Sequence, residues 1–442
     1  MNVSLARYAA ALGFLLTASL ARAADAPPDC HIGAYRLANG AMIDIGASEP
    51  NTLRWRGFDG TVGQLKKKKT DGDWTSTYGW TGRPDGKTVR FSDCTTGRID
   101  FDGVEGHRLA FDVTDTTFED HGVKLAGRLV LPKGKTAVPI VVLVHGSEFD
   151  SAIQSYSLQR TLPAEGVGAF VYDKRGTGAS GGTYTQDFSL LADDAVAAMR
   201  EAKRLAGPRV GRIGYQAGSE GGWVAPIAAN RAPVDFVIVC FGLAVTVLQE
   251  DQEAVAIEMR EKGHTPAEIA KAQELARAAE AVFASNFTSG FGDLDALRAK
   301  YKSAPWYKDV HGDFAWMILA HTETELRAMA PQYQWHTPFN YEPMPTLRAN
   351  TTPQLWILGT EDYEAPSAET SLRIKSLIAD GRPFTLALYP GAEHGMTLFE
   401  TAPNGERLDT RFAPGYFEMM RDFARDGRLG PSYGNAEITR AH

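Results

Sequence analysis

The chain has 442 residues, 43% of them hydrophobic and 23% charged, with a formal net charge of −8. That length supports two or three domains and a large buried core. The acidic balance and the lack of a basic stripe exclude nucleic acid as an expected partner; the one basic run, Lys66 to Lys69, reads as a solvated turn.

Residues 1–23 read as a secretory signal peptide. Arg7 supplies a positive start, "YAAALGFLLTASL" a short apolar core, and Ala21-Arg22-Ala23 a small-residue cleavage site. The apolar run is shorter than the roughly 20 residues of a membrane-spanning helix, and no later stretch is apolar enough to cross a bilayer. The expectation is an exported protein, periplasmic or extracellular, with no membrane span. An oxidising compartment allows Cys30 and Cys94 to pair as a disulfide, while Cys240, at the end of "VDFVIVC", reads as a buried core thiol. Three scattered cysteines give no metal-ligand spacing, and neither metal nor cofactor is expected.

Residues 24–118 show short alternating runs and many turn residues. "TLRWRGF" places Leu53 and Trp55 on one face, "RIDFDG" does the same with Ile99 and Phe101, and "RLAFDV" with Leu109, Phe111 and Val113. This predicts a small all-β domain whose tryptophans are core. Over residues 119–442 the period changes. Continuous apolar runs such as "PIVVLVHG", "VGAFVYD", "GRIGYQAG" and "PQLWILG" alternate with helical stretches, "DFSLLADDAVAAMREAKRL" among them. That pattern predicts a doubly wound, mostly parallel α/β sheet with helices on both faces.

Residues 243–345 interrupt the alternation with a mainly helical insertion. Thr265, Pro266 and Glu268 supply an N-cap, a first-turn proline and a capping box. The aromatic segments that follow, including Trp306, Trp316 and Trp335, predict a lid over a ligand pocket.

"GYQAGSEGGWVAP" carries a strand into a tight turn and then a helix, with Ser219 at the bend. A nucleophilic serine needs such a turn to expose its oxygen, and small neighbours because they press against adjacent backbone. Gly218, Gly221 and Gly222 meet that need; Ala217 stands where the usual G-x-S-x-G pattern has its first glycine. "LWILGTEDYEAP" sets Asp362 just beyond a strand end, and "LALYPGAEHGM" sets His394 beyond the next. Glu361 and Glu364 compete with Asp362 as the acid. "GTGASG", residues 176–181, imitates a dinucleotide-binding fingerprint, but "DKR" intervenes after the strand and the next helix starts nearer Asp187.

These landmarks, "HGS", "YDKRGTGASGG", "GSEGGWVAP", "GTEDYEAP" and "GAEHG" in that order, resemble the α/β-hydrolase superfamily and its bacterial esterase and serine-peptidase-like branch, over roughly residues 124–426. The resemblance implies Ser219 as nucleophile, His394 as base and Asp362 as acid. It also implies an oxyanion hole from the backbone N–H groups of Glu220 and Ser147. Glu148 departs from the pattern by replacing the glycine common after "HGS" and adds a carboxylate near the pocket. The Glu220 side chain adds a second, unless it points along its helix into solvent. The expected function is hydrolysis of a carboxylic ester through an acyl-enzyme. A serine peptidase or aminopeptidase acting on short peptides is the alternative, ahead of an acyl thioesterase and of a binding protein on a decayed hydrolase scaffold.

Overall fold

The computed structural model describes residues 30–50, 52–68 and 72–440, so the expected signal peptide and Lys69 lie outside the described residues. Eight short strands come first: β1 (Gly33–Leu37), β2 (Met42–Ala47), β3 (Thr52–Gly57), β4 (Val62–Lys67), β5 (Trp74–Thr77), β6 (Pro84–Phe91), β7 (Arg98–Phe101) and β8 (Val104–Arg108). Each pairs antiparallel with the next, and β8 returns to β1 with Leu37 opposite Gly106, closing a barrel. Alternate residues of a strand face the same side. Leu53, Trp55, Leu65, Ile99 and Phe101 therefore fill the barrel interior, and Trp74 joins them. A disulfide joins Cys30 to Cys94, whose Cα atoms are 5.7 Å apart. Arg108 donates hydrogen bonds to the carbonyls of both cysteines.

The expected boundary at residue 118 needs correction. Phe111–Asp120 forms β9, an edge strand of the second sheet, so the division falls between Arg108 and Phe111. Leu109, Phe111 and Val113 do not share a buried face, and Val113 is 53% exposed. The alternation in "RLAFDV" runs across the junction of two domains and reports neither.

The second sheet contains β9, β10 (Val123–Pro132), β11 (Val138–Val144), β12 (Gly168–Tyr172), β13 (Val210–Gly218), β14 (Phe236–Cys240), β15 (Gln354–Gly359) and β16 (Phe384–Tyr389). A hairpin of β17 (Thr397–Thr401) and β18 (Arg407–Phe412) leaves the sheet, and β19 (Glu437–Arg440) returns to its far edge. The spatial order is β9-β10-β12-β11-β13-β14-β15-β16-β19, with only β10 and β19 running against the rest. β12, β14 and β15 are buried along their whole length, as continuous apolar runs require.

Helices α1 (Ala152–Ser155) and α2 (Leu158–Ala164) follow β11, and α3 (Phe188–Ala206) and α4 (Gly221–Arg231) flank β13. The insertion holds α5 (Val247–Glu261), α6 (Pro266–Ala284), α7 (Phe291–Tyr301), α8 (Ala315–Ala320) and α9 (Glu323–Met329). α10 (Met344–Ala349), α11 (Ser367–Ala379) and α12 (Tyr416–Asp426) complete the domain. α3, α4 and α11 cover one face of the sheet; α2 and α12 cover the other. α3 starts at an Asp187 cap and buries Leu191, Ala195, Ala198 and Ala202. α6 opens with the expected Thr265–Glu268 capping box. The insertion has a hydrophobic core of its own, built around Val255, Leu275, Phe283 and Ile318.

Candidate active site

The parallel strands end level with one another. Val144 pairs with Ala217, Gly218 with Cys240, Cys240 with Ile357, and Gly359 with Tyr389. The residues just beyond these ends therefore share one rim of the sheet, where open α/β sheets gather their reactive groups.

Ser219 leaves β13 with φ +52°, a conformation that L side chains avoid, and α4 begins two residues later. Such strain costs roughly 1–3 kcal/mol and persists only where the surroundings enforce it. The packing that enforces it is visible at Gly221, where a Cβ would lie 2.9 Å from the His145 carbonyl and 3.0 Å from that of Val144. Ala217 is fully buried, and its methyl group is accommodated. Phe241 at the end of β14 and Met396 beside His394 also take positive φ, at 42° and 65°. The rim is thus a concentrated site of backbone strain.

Asp362 is buried, and Ala365 N–H donates to its Oδ1 at 2.8 Å. His394 Nδ1 lies 3.2 Å from Oδ1 and 3.1 Å from Oδ2 of Asp362. Of the three competing acids, Asp362 is the one at Nδ1. Glu361 pairs with Arg407 at 3.7 Å, while Glu364 stands at the opposite ring nitrogen, 3.6 Å from Nε2. Among the described residues no hydrogen bond joins Ser219 to His394. They are linked through Phe241, which packs against Gly218 and meets the His394 ring edge-on, with centroids 4.8 Å apart. Nucleophile–base contacts of this kind are commonly long without substrate. Burial disfavours the imidazolium, but Asp362 and Glu364 outweigh it and raise the His394 pKa to about 10. Burial also drives the insertion carboxyls Glu250 and Asp313 well above the carboxylate range.

The loop after β11 lies against Ser219. A Cβ on Gly146 would sit 3.5 Å from Ser219 Cβ and 2.6 Å from Glu148 Oε2. Glu148 accepts a hydrogen bond from the Tyr156 hydroxyl. His145 is buried with Nε2 2.9 Å from the Tyr172 carbonyl, so it orders the loop and does not face Ser219. Neither the Ser147 nor the Glu220 N–H donates to another described residue.

Glu220 does not point into solvent. Its side chain is 3% exposed, and Oε1 accepts from Lys174 Nζ at 3.0 Å. The loop between β12 and α3 folds back under the site and supplies that lysine. Burial raises the Glu220 carboxyl to about 7, against the pull of the Lys174 ammonium. The apparent dinucleotide motif belongs to this same loop. Asp173 fixes it by accepting from Ser151 Oγ, Ile153 N–H and Ala179 N–H, so its glycines turn the chain.

The insertion reaches the rim from two sides. Tyr363 donates to Glu261 of α5, and Arg407 pairs with the same carboxylate at 3.1 Å. Trp335 meets Phe149 at 5.6 Å and Tyr184 at 6.0 Å between centroids. The other two expected roof tryptophans behave differently. Trp306 is 4% exposed in the insertion's own core, and Trp316 stacks on His311. His264 and His321 also make their contacts within the insertion.

Lys174, Tyr156, Tyr184 and Phe241 were not anticipated as site residues. The unexplained "DKRGTGASGG" segment was the one signal for Lys174; the others depend on contacts between distant loops.

No family model and no curated protein matches the chain. Among solved structures it is similar to an acylaminoacyl peptidase from Pyrococcus horikoshii, with 15% identity, a TM-score of 0.39, and coverage of 80% of this chain and 52% of that one. It therefore spans about half the length of that protein. A Pyrococcus furiosus esterase shows 14% identity, a TM-score of 0.41, and coverage of 64% and 83% respectively. An esterase from Thermogutta terrifontis shows 20% identity, a TM-score of 0.35, and coverage of 64% and 91%. On its own strand order and strained strand-to-helix elbow, the chain has the α/β-hydrolase fold, with a closed β-barrel ahead of the sheet and a helical insertion within it.

Proposed function

We propose that the chain is an exported serine hydrolase that cleaves carboxylic esters through an acyl-enzyme, with Ser219 as nucleophile, His394 as base and Asp362 as its partner. One observation carries the reading: a serine held at φ +52° in a strand-to-helix elbow, on the same rim as a buried Asp362 paired with a half-buried His394. A serine hydroxyl is a weak nucleophile near neutral pH, so His394 Nε2 takes its proton as Oγ attacks the ester carbon. Asp362 keeps the proton on Nδ1 and stabilises the imidazolium. The N–H groups of Ser147 and Glu220 receive the charge on the carbonyl oxygen, each donor being worth roughly 10²–10³ in rate. His394 then protonates the departing alcohol, and water repeats the sequence on the acyl-enzyme. The Cys30–Cys94 disulfide supports export, because such bonds persist in oxidising compartments.

A second reading, a peptidase acting on short peptides, is favoured by the charge at the rim. Glu148 lies beside the nucleophile and Glu364 beside the base, where a substrate amino group would be attracted. Labelling with a fluorophosphonate, followed by turnover of neutral esters, carboxylate-bearing esters and aminoacyl amides, tests both readings. Ser219→Ala is expected to abolish labelling while the fold is kept, and neutral esters are expected to outpace matched anionic ones. Full labelling of Ser219→Ala overturns the assignment, and faster cleavage of aminoacyl amides than of any ester moves the function to the second reading.

A further inference from the structure

Both proposed oxyanion donors are backbone groups, and a backbone donor is only as well aimed as its peptide plane. The carbonyl of Gly146 and the N–H of Ser147 belong to one planar unit and point in opposite directions. Whatever holds the carbonyl also aims the N–H. Lys174 Nζ donates to the Gly146 carbonyl at 2.7 Å and to Glu220 Oε1 at 3.0 Å. The lysine and glutamate side chains are 2% and 3% exposed. One ammonium group thus bridges the peptide that contains the first donor and the residue that contains the second. The ammonium also lies 4.6 Å from the Tyr184 ring centroid, and the Tyr184 hydroxyl donates to the Ser147 carbonyl at 2.6 Å. Residues 146 and 147 are therefore held through both carbonyls by the same returning loop.

Stability alone is a poor account of this pair. A buried ion pair is often no more stabilising than apolar residues of equal volume, because desolvation offsets the attraction. The placement suggests another role. We infer that Lys174 and Glu220 are a positioning pair that locks the Ser147 and Glu220 N–H groups into a single oxyanion hole. The inference rests on the serine-hydrolase reading. Neither side chain touches substrate; Lys174 acts through the Gly146–Ser147 peptide, and Glu220 by fixing the ammonium.

Two variants of the full chain separate positioning from support. Lys174→Met leaves Glu220 buried without its cation, so it is expected to lose both thermal stability and kcat. Lys174→Met/Glu220→Met replaces the pair with apolar side chains of similar length and retains both backbone N–H groups. Its melting temperature is expected to return to the wild-type value or exceed it, while kcat on a p-nitrophenyl ester stays roughly ten- to a hundredfold low. That loss is smaller than the 10²–10³ attached to a whole donor. KM should change less than threefold, because oxyanion contacts act mainly in the transition state. Lys174→Arg, which keeps a buried cation and its donors, is expected to recover part of kcat. A double variant with wild-type kcat overturns the inference and leaves the hydrolase reading intact, as does one whose loss lies wholly in KM. A wild-type chain that neither turns over esters nor labels at Ser219 overturns both.

Discussion

His394 has more negative charge around it than its proposed role as base requires. Asp362 holds Nδ1, and Glu364, with its side chain 61% exposed, stands 3.6 Å from Nε2. Both favour the imidazolium, and the pKa rises to about 10 despite burial. The proposed reaction needs neutral imidazole, so kcat/KM should climb as pH rises through the His394 pKa, with its acidic limb above the ordinary histidine range. Glu364→Gln removes one stabiliser of the charged form and should move that limb to lower pH. Exposed pairs couple by about 0.2–1 kcal/mol, so activity near pH 7 should rise by up to roughly fivefold, and less at high salt. A pH–rate profile that does not move, or moves upward, shows that Glu364 does not act on the base. The shared rim of the candidates Ser219, Asp362 and His394 was legible in the sequence because each follows an apolar strand within a few residues. The Lys174–Glu220 contact spans 46 residues and depends on a loop folding back against the site, which no local pattern encodes. The alternative that Glu220 points into solvent falls for that reason: at the N-cap of α4 its side chain faces inward, toward a cation that only the fold supplies.

At the level of elements, the elbow and the insertion follow different rules. The elbow is a short-range device, and its small residues declare it even with Ala217 in place of a glycine. The insertion was legible as helical from its caps and period, but not in the use of its aromatics. Its helices must bury their own apolar faces, and this claims Trp306 for the insertion core. Trp335 lies outside any helix and is left to meet Phe149 and Tyr184 beside the Ser147 loop. Its backbone is tied down as well, since its carbonyl accepts from Gln186 N–H at 2.6 Å and from Thr185 Oγ1 at 3.0 Å. Trp335→Ala is therefore expected to change relative kcat/KM across a series of acyl lengths by at least several-fold. The loss of aromatic contact area is worth roughly 1–3 kcal/mol on the longest acyl chains. Fluorophosphonate labelling of Ser219 should survive the change. An acyl-length profile identical to wild type would make Trp335 a purely structural contact between insertion and sheet.

Across the whole molecule, the barrel is joined to the candidate site's rim by more than the peptide link at residue 109. Trp80 N–H donates to the Asp409 carbonyl in β18, and Phe412 N–H donates to the Gly60 carbonyl. β17 of the same hairpin starts at Thr397, directly after the His394 turn. On the other side, Asp44 of β2 is fully buried and takes a two-point hydrogen bond from Arg160 of α2, at 2.6 and 3.0 Å. Arg56 of β3 adds a third contact at 3.4 Å. The barrel's strands could be read from alternation, but its closure and docking could not, because both join residues far apart in the chain. An acid within the apolar-looking "MIDIGA" gave no hint of a partner more than a hundred residues away. Removing a carboxylate that two largely buried guanidinium groups share leaves uncompensated charge in the interface, at a cost of about 3–5 kcal/mol. Asp44→Ala should therefore lower the unfolding free energy of the full chain, measured by denaturant titration, by that amount. Asp115→Ala, which removes an exposed partner from Arg128, should cost under about 1 kcal/mol. Equal losses from the two variants would mean that Asp44 is no stronger a tie than a surface ion pair, and that the hairpin beside His394 carries the docking of the barrel.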